Sequence, residues 1–332
     1  MHEPPEGSKV SLLIASPFKT QLMRTFYIFY LLGAFFFLWA QPTQSVDNFK
    51  ITVLSTMLSD FYLGEWGFSA LVEVDGQRLL FDTGSRENTV WQNAQQMDLD
   101  LNGIPHVYLS HNHADHTRGL LTLKKTYPTS FGQAHVGEGI FYPRPNEQGE
   151  AHYLLQNKKR LEALGVRFVN HNKVSEIIPG VYTTGPIPRV YDEKNWSRLG
   201  KLIAPNGDRI EDTIPEDQSL FFDTEKGIVL ISGCGHAGLV NTLTYIRSIL
   251  PGRPIYKILG GFHLLKLSDE KLRWTASKLK EFGVTYFVGA HCTGINATYS
   301  LREYMDLTKD QVMVGSVGTY IDGEGIHPGY ME

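Results

Sequence analysis

The sequence predicts an α/β protein in which two β-sheets pack face to face and helices cover their outer sides. Three observations predict it. Both halves of the chain show β-hairpins followed by strand–helix units. The segments rich in metal-binding and small residues each follow an apolar strand, at its C-terminal end. The chain has 332 residues, 42% of them hydrophobic, which is ample for a sizeable core in one large domain or two modest ones.

The N-terminus has a different character. Phe26–Ala40 is apolar apart from tyrosine hydroxyls, Lys19 and Arg24 precede it, and Ala40-Gln-Pro-Thr-Gln-Ser follows. Basic, then apolar, then small and polar is the order of a secretory signal. The run is shorter than the ~20 residues a spanning helix needs. A start at Met23 would make the signal compact. The expectation is an exported protein, periplasmic or extracellular, whose mature form lacks the first ~40 residues. The alternative is an uncleaved anchor at residues 26–40, which would give membrane contact. Residues 1–45 are thus set apart from a catalytic domain at 46–332. Net charge is −4 with no long run of either sign, so no nucleic-acid partner is expected. Cys234 and Cys292 are the chain's two cysteines and write no disulfide framework.

The folded domain begins near Phe49. Lys50-Ile-Thr-Val-Leu-Ser-Thr-Met alternates and is rich in β-branched residues, so it reads as a strand. Phe68–Val74 and Gln77–Asp82 read as strands joined by Asp75-Gly76, a hairpin pair. The second ends in Asp82-Thr-Gly84, where glycine permits a tight turn. Glu87–Met97 reads as a helix, Ile104–Leu109 as a short strand, and Gly119-Leu-Leu-Thr-Leu-Lys as a helix start. Ser130–Val136 looks like a short strand and His152–Leu164 like a helix, but residues 129–215 carry no motif legible from chemistry. Gln218–Thr224 and Gly227–Ser232 form a second hairpin. Leu239, Leu243, Ile246 and Leu250 then mark one face of a helix. Pro254–Leu259 is a strand. Ser268 caps a helix with Asp269 and Glu270 in its first turn, and Gly283 ends it. Val284–Val288 is the next strand.

The loop Leu109-Ser-His-Asn-His-Ala-Asp-His-Thr-Arg-Gly119 packs His111, His113, Asp115 and His116 between a strand and a helix. His111 and His113, two apart, point to the same side of an extended segment and can chelate one ion. Asp115 and His116 turn with the chain and can serve a second. Imidazole with carboxylate suits Zn²⁺, Mn²⁺ or Fe. Two further histidines follow apolar strands among small residues: His236 in Ser-Gly-Cys-Gly-His-Ala-Gly and His291 in Gly-Ala-His-Cys-Thr-Gly.

His-x-His-x-Asp-His resembles the metal-binding signature of the metallo-β-lactamase fold superfamily, over roughly residues 50–320. The resemblance implies an αββα four-layer sandwich and two divalent ions, Zn²⁺ foremost. It also implies that Asp82 supports the ligands from behind, with Asp115 and Asp82 the candidate catalytic carboxylates. Thr184-Gly-Pro-Ile-Pro-Arg189, Asp217-Gln-Ser-Leu220, Gly233–Gly238 with Val240-Asn241, Gly260-Gly-Phe-His-Leu264 and Gly289–Gly294 resemble one branch of it. That branch includes 7,8-dihydropterin-6-methyl-4-(β-D-ribofuranosyl)aminobenzene-5′-phosphate synthase. One departure stands out. Many members have a bridging aspartate where this chain has Cys234, and an earlier histidine where it has the Thr184 segment. His236 is therefore expected to join His111 and His113 at the first ion, with Asp115, His116 and His291 at the second. Cys234 is a soft ligand, a thiol behind the ligands, or a small residue filling a turn.

Arg189 could hold an anionic substrate group or make a surface ion pair. His263 could act on substrate or be structural, and so could His135. The site chemistry points to a hydrolase in which metal-activated water attacks an ester, phosphoester or similar bond of a small, anionic molecule. The branch resemblance suggests a transferase joining a dihydropterin pyrophosphate to an aminobenzene ribotide, but an exported enzyme would not meet that cytoplasmic intermediate. A third reading is a metal-binding redox sensor without turnover, since Cys234 and Cys292 both neighbour proposed ligands.

Overall fold

A computed structural model describes residues 44–196 and 199–329. The segment read as a signal or anchor lies outside the described residues. Among these residues no helix is long and apolar enough to cross a membrane.

The chain enters through β1 (Phe49–Ser55) and the hairpin β2 (Ser69–Val74) and β3 (Gln77–Phe81). Asp75 and Gly76 at the hairpin tip both take positive φ, 44° and 80°, the turn that matches strand twist. Helix α1 (Thr89–Gln96), β4 (His106–Tyr108), the one-turn α2 (Ala114–Thr117), α3 (Leu120–Thr126) and β5 (Gln133–Gly137) follow. Next come the small hairpin β6 (Pro145–Asn146) and β7 (Gly149–Glu150), then α4 (Tyr153–Ala163), β8 (Arg167–His171), β9 (Ser175–Ile178) and β10 (Val181–Thr183). A second small hairpin, β11 (Lys201–Ile203) and β12 (Arg209–Glu211), precedes β13 (Leu220–Thr224) and β14 (Gly227–Ser232). The last stretch alternates α5 (Leu239–Ile249), β15 (Ile255–Gly260), α6 (Asp269–Phe282), β16 (Tyr286–Gly289), α7 (Ile295–Met305), β17 (Val312–Val314), β18 (Tyr320–Asp322) and β19 (Ile326–His327).

Two large sheets result. One runs β19-β18-β1-β2-β3-β4-β5-β8, the other β17-β16-β15-β14-β13-β10-β9. Three apolar cores show the layering. Ile51, Val53, Val72, Phe81 and Tyr108 meet Phe222, Val229 and Leu259 between the sheets. Leu80 and Val107 face Leu120 and Leu161 of the helices over the first sheet. Leu230 and Ile258 face Leu243, Leu279 and Leu301 over the second. This is the expected αββα sandwich. Strand alternation makes it possible, because successive side chains of β1 and β4 serve different cores. Helix α6 has the expected ends: Ser268 Oγ accepts from Lys271 N–H at 3.3 Å, and Gly283 closes it at φ 80°.

The differences lie where pairing is short. The sequence shows no sign of α2 inside the ligand loop, and residues 129–215 contain strands of two to five residues. Such strands form because a neighbour supplies the hydrogen bonds, and periodicity over three residues carries no signal. What matters for function is polarity. Strands β3, β4, β5 and β8 are mutually parallel, as are β14 to β17, and their C-terminal ends open at one edge of the sandwich. Parallel strands gather their following loops, and ligand sites form there.

Candidate metal centre

The loop after β3 brings Asp82, the loop after β4 His111 to His116, the loop after β14 Cys234 and His236, the loop after β15 His263, and the loop after β16 His291 and Cys292. Close backbone approach holds the loops together. A Cβ at Gly233 would lie 2.1 Å from Ser110 Oγ and 2.8 Å from Asp82 Oδ2, so this crossing excludes any side chain. At Gly119 a Cβ would lie 2.1 Å from Thr83 O.

Asp82 is fully buried with φ 51°, a conformation that aspartate and asparagine tolerate better than most. Its Oδ1 accepts from Ser110 N–H at 2.7 Å, and its Oδ2 from Ser110 Oγ and from His116 Nδ1, each at 2.7 Å. A carboxylate only accepts, so His116 carries its proton on Nδ1 and turns Nε2 inward. Ser110 Oγ spends its proton on Asp82 and can only accept from His111 Nδ1, 2.9 Å away. His236 Nδ1 donates to the Asn195 carbonyl. The outward nitrogens are thus protonated, and the inward Nε2 atoms of His111 and His236 keep bare lone pairs. Both are buried and find no partner among the described residues. A buried acceptor without a partner is costly, and a cation is the partner this donor set fits.

The donor atoms fall into overlapping groups. Within each, ligand atoms lie within 4.8 Å of one another: His111, His113 and His236; Asp115, His116 and His291; and His111, His116 and Cys234. The His113 ring centroid is 4.6 Å from that of His111 and 4.9 Å from that of His236. His291 Nε2 lies 3.4 Å from Asp115 Oδ2 and 3.3 Å from His116 Nε2. The Thr183–Thr184 segment instead bonds Tyr108, Gln218 and Ser219, so it offers nothing to the cluster.

Burial, reinforced by neighbouring imidazoles, pushes His111 and His236 well below the usual imidazole range. Burial also takes His113 and His263 down to about 4. Neutral imidazoles are the form that binds metal. His116 goes the other way. Burial opposes its charge, but the Asp82 carboxylate, backed by Asp115, raises it to about 9. Asp115 is held well below the carboxylate range by His116 and His291, against the effect of burial.

The remaining candidates are spread around the cluster. His263 is half-buried with its ring 4.7 Å from His236. Cys234 Sγ touches His116 Nε2 at 3.3 Å. Arg189 lies behind the His236 turn. Its Nη1 donates to His236 O at 3.3 Å and its Nη2 to Thr213 O and Ile214 O at 2.6 and 3.2 Å, with Trp196 under the guanidinium. Arg189→Ala is therefore expected to lower stability by about 1.5–3 kcal/mol, read as a fall in urea midpoint. An unchanged midpoint with a raised KM would restore the substrate role. His135 stands apart, hydrogen-bonded to His106 and His171 at 3.0 and 2.9 Å.

Sequence reasoning missed a buried ionic group beside the site. Arg144 pairs with Asp212 at 2.6 Å and Glu216 at 2.8 Å, and Glu216 accepts from both the backbone and side chain of Asn112, between His111 and His113. Asp217 enters the sequence reading only as part of the segment Asp217–Leu220 that carries the branch resemblance. Its Oδ2 accepts from Ala237 N–H at 2.8 Å, holding the His236 turn, and burial raises its carboxyl to about 7.

Comparison with known proteins bears on the family. The chain is 28% identical over 285 residues to 7,8-dihydropterin-6-methyl-4-(beta-D-ribofuranosyl)-aminobenzene-5'-phosphate synthase of Methanocaldococcus jannaschii, covering 82% of this chain and 97% of that one. An uncharacterised protein of the same organism is 28% identical over 266 residues, 76% of this chain and 93% of its own. Among solved structures, a metal-dependent hydrolase of the beta-lactamase superfamily superposes with a TM-score of 0.64 at 26% identity, over 82% of this chain and 98% of that one. The metallo-beta-lactamase fold protein YhfI of Bacillus subtilis, at TM-score 0.53 and 12% identity over 83% of this chain and all of its own, shares the fold. The family model of the metallo-beta-lactamase superfamily runs through residues 67–245, more than half of the chain, and a chain matched to that extent belongs to that superfamily, whose fold implies divalent metal.

Proposed function

We propose that the protein is a binuclear metal-dependent hydrolase acting on an ester, phosphoester or similar bond of a small anionic molecule. One observation carries it: two triads of donors, three histidines in one and two with a carboxylate in the other, meet at one edge of the fold. His111, His113 and His236 would hold the first ion; Asp115, His116 and His291 the second. Bound there, divalent ions act as Lewis acids and lower the pKa of coordinated water. Imidazole-rich sets favour zinc, with manganese or iron the alternatives. Cys234 lies within reach of His111 and His236 of the first triad and of His116 and His291 of the second, where a thiolate would strengthen the preference for zinc.

The chain's own groups do the rest. Asp82 and Asn195 hold the imidazoles in the tautomer that offers Nε2. His263, neutral near pH 7, would hydrogen-bond a substrate, a role supported by its ring lying beside that of His236. The basic–apolar–polar order of residues 19–45 supports an exported enzyme.

The similarity to the synthase, over 97% of its length, supports a second reading: transfer of a pterinylmethyl group to an aminobenzene ribotide. Turnover of p-nitrophenyl acetate and bis-p-nitrophenyl phosphate, before and after chelation and with zinc restored, decides between them. Hydrolysis lost on chelation and recovered with zinc is the expected result. Inertness toward esters, with product formed from a dihydropterin pyrophosphate and the ribotide, would establish the transferase.

A further inference from the structure

The chain carries two cysteines in 332 residues, and the fold brings them together. Cys292 Sγ lies 3.3 Å from Cys234 Sγ across 58 residues of sequence. Both side chains are buried beside the histidine cluster, at 2% and 1% exposure. Their sulfurs and a His291 nitrogen fall within 4.8 Å of one another. Cys234 precedes His236 by two residues and Cys292 follows His291 directly, so the pair joins the two loops that each supply one ligand to a different triad.

We propose that Cys234 and Cys292 form a redox-modification site. A peroxide-class oxidant closes them to a disulfide when the ions are absent, and closure lowers metal occupancy. The proposal rests on the metal-site reading above. The balance is that of two thiols and one peroxide. One sulfur attacks a peroxide oxygen, the O–O bond breaks, and a sulfenic acid and water form, the thiol proton leaving with the departing oxygen. The second sulfur displaces the sulfenic hydroxyl, which takes the second thiol proton and leaves as water. The thiols lose two electrons and the peroxide gains them.

A disulfide needs sulfurs at about 2.05 Å, so the pair must approach by roughly one ångström. In the closed form neither sulfur can offer a thiolate, and the loops of His236 and His291 are tied in one arrangement. Ions held by the surrounding donors would cover the sulfurs and slow the reaction.

The test uses the full chain, stripped of metal and treated with hydrogen peroxide. Intact mass and free thiols are read after denaturation. The expected product has lost both thiols and about 2 Da, and is restored by dithiothreitol. Zinc-loaded protein should react several-fold more slowly, and the oxidised form should bind zinc at least ~10-fold more weakly than the reduced form. Cys292→Ser should bind zinc but give no product with that mass loss. Survival of both thiols, or oxidation only by added oxygen atoms, overturns the site. Equal zinc affinity of the two redox forms overturns the coupling. Reduced protein that binds no zinc yet still loses 2 Da would sink the metal-enzyme reading while establishing the disulfide.

Discussion

His236→Ala is expected to abolish turnover and to leave the first ion bound at least ~10-fold more weakly, because loss of even a hydrogen-bond partner behind a metal ligand costs that much. The variant removes the inward Nε2 that, with His111 and His113, completes one triad. Neither the Thr184 segment nor Arg189 can replace it. The Thr184 hydroxyl is engaged with Ser219 N–H and Gly185 O, and Arg189 presents only donors. The fold should survive, since the ring makes one hydrogen bond, to Asn195 O. Metal counting by mass spectrometry on the folded variant separates the outcomes: one ion supports the assignment, and two tightly held ions refute it. His135→Ala is the control. That histidine bonds to His106 and His171 outside the cluster, so both ions should remain.

Asp82→Asn is expected to lower affinity for the second ion, and activity with it, by 10–100-fold. Asparagine keeps the size and tolerates the positive φ, so the substitution isolates the hydrogen bonds. The carboxylate accepts three of them, from Ser110 N–H, Ser110 Oγ and His116 Nδ1. An amide offers one oxygen and turns a donor toward the remaining donors. His116 then loses the partner that fixes its tautomer, and through Ser110 the effect reaches His111. Because all these groups are buried, the orphaned donors should also cost about 1–3 kcal/mol each in stability. Wild-type zinc affinity in Asp82→Asn, measured by competition with a chromogenic chelator, would remove Asp82 from any supporting role.

The sequence carries the site more legibly than the periphery. His111, His113, Asp115 and His116 are legible because four potential ligands in six residues leave little else for the segment to do. His236 and His291 are legible because each follows an apolar strand among glycines, which close loop contact demands, as Gly233 shows. The hairpin at Asp75-Gly76 and the caps of α6 follow local rules and are found where those rules place them. Arg144, Asp212 and Glu216 are illegible for the opposite reason. They meet across as many as 72 residues of sequence, in a region whose strands are too short to show a period. Arg189 shows a further limit. Its sequence context speaks for an anion contact, but backbone carbonyls of residues 213, 214 and 236 take its donors, and nothing in a linear sequence marks a carbonyl as a partner. The contact of Cys234 with Cys292 is likewise a product of parallel strands, since β14 and β16, which precede the two cysteines, end on either side of β15.

The most direct test of the whole account is a crystal of zinc-loaded protein measured at the zinc absorption edge. The account predicts two anomalous peaks per chain, one among His111, His113 and His236 and the other among Asp115, His116 and His291. A well-ordered site with no peak, or with zinc held elsewhere, would contradict it.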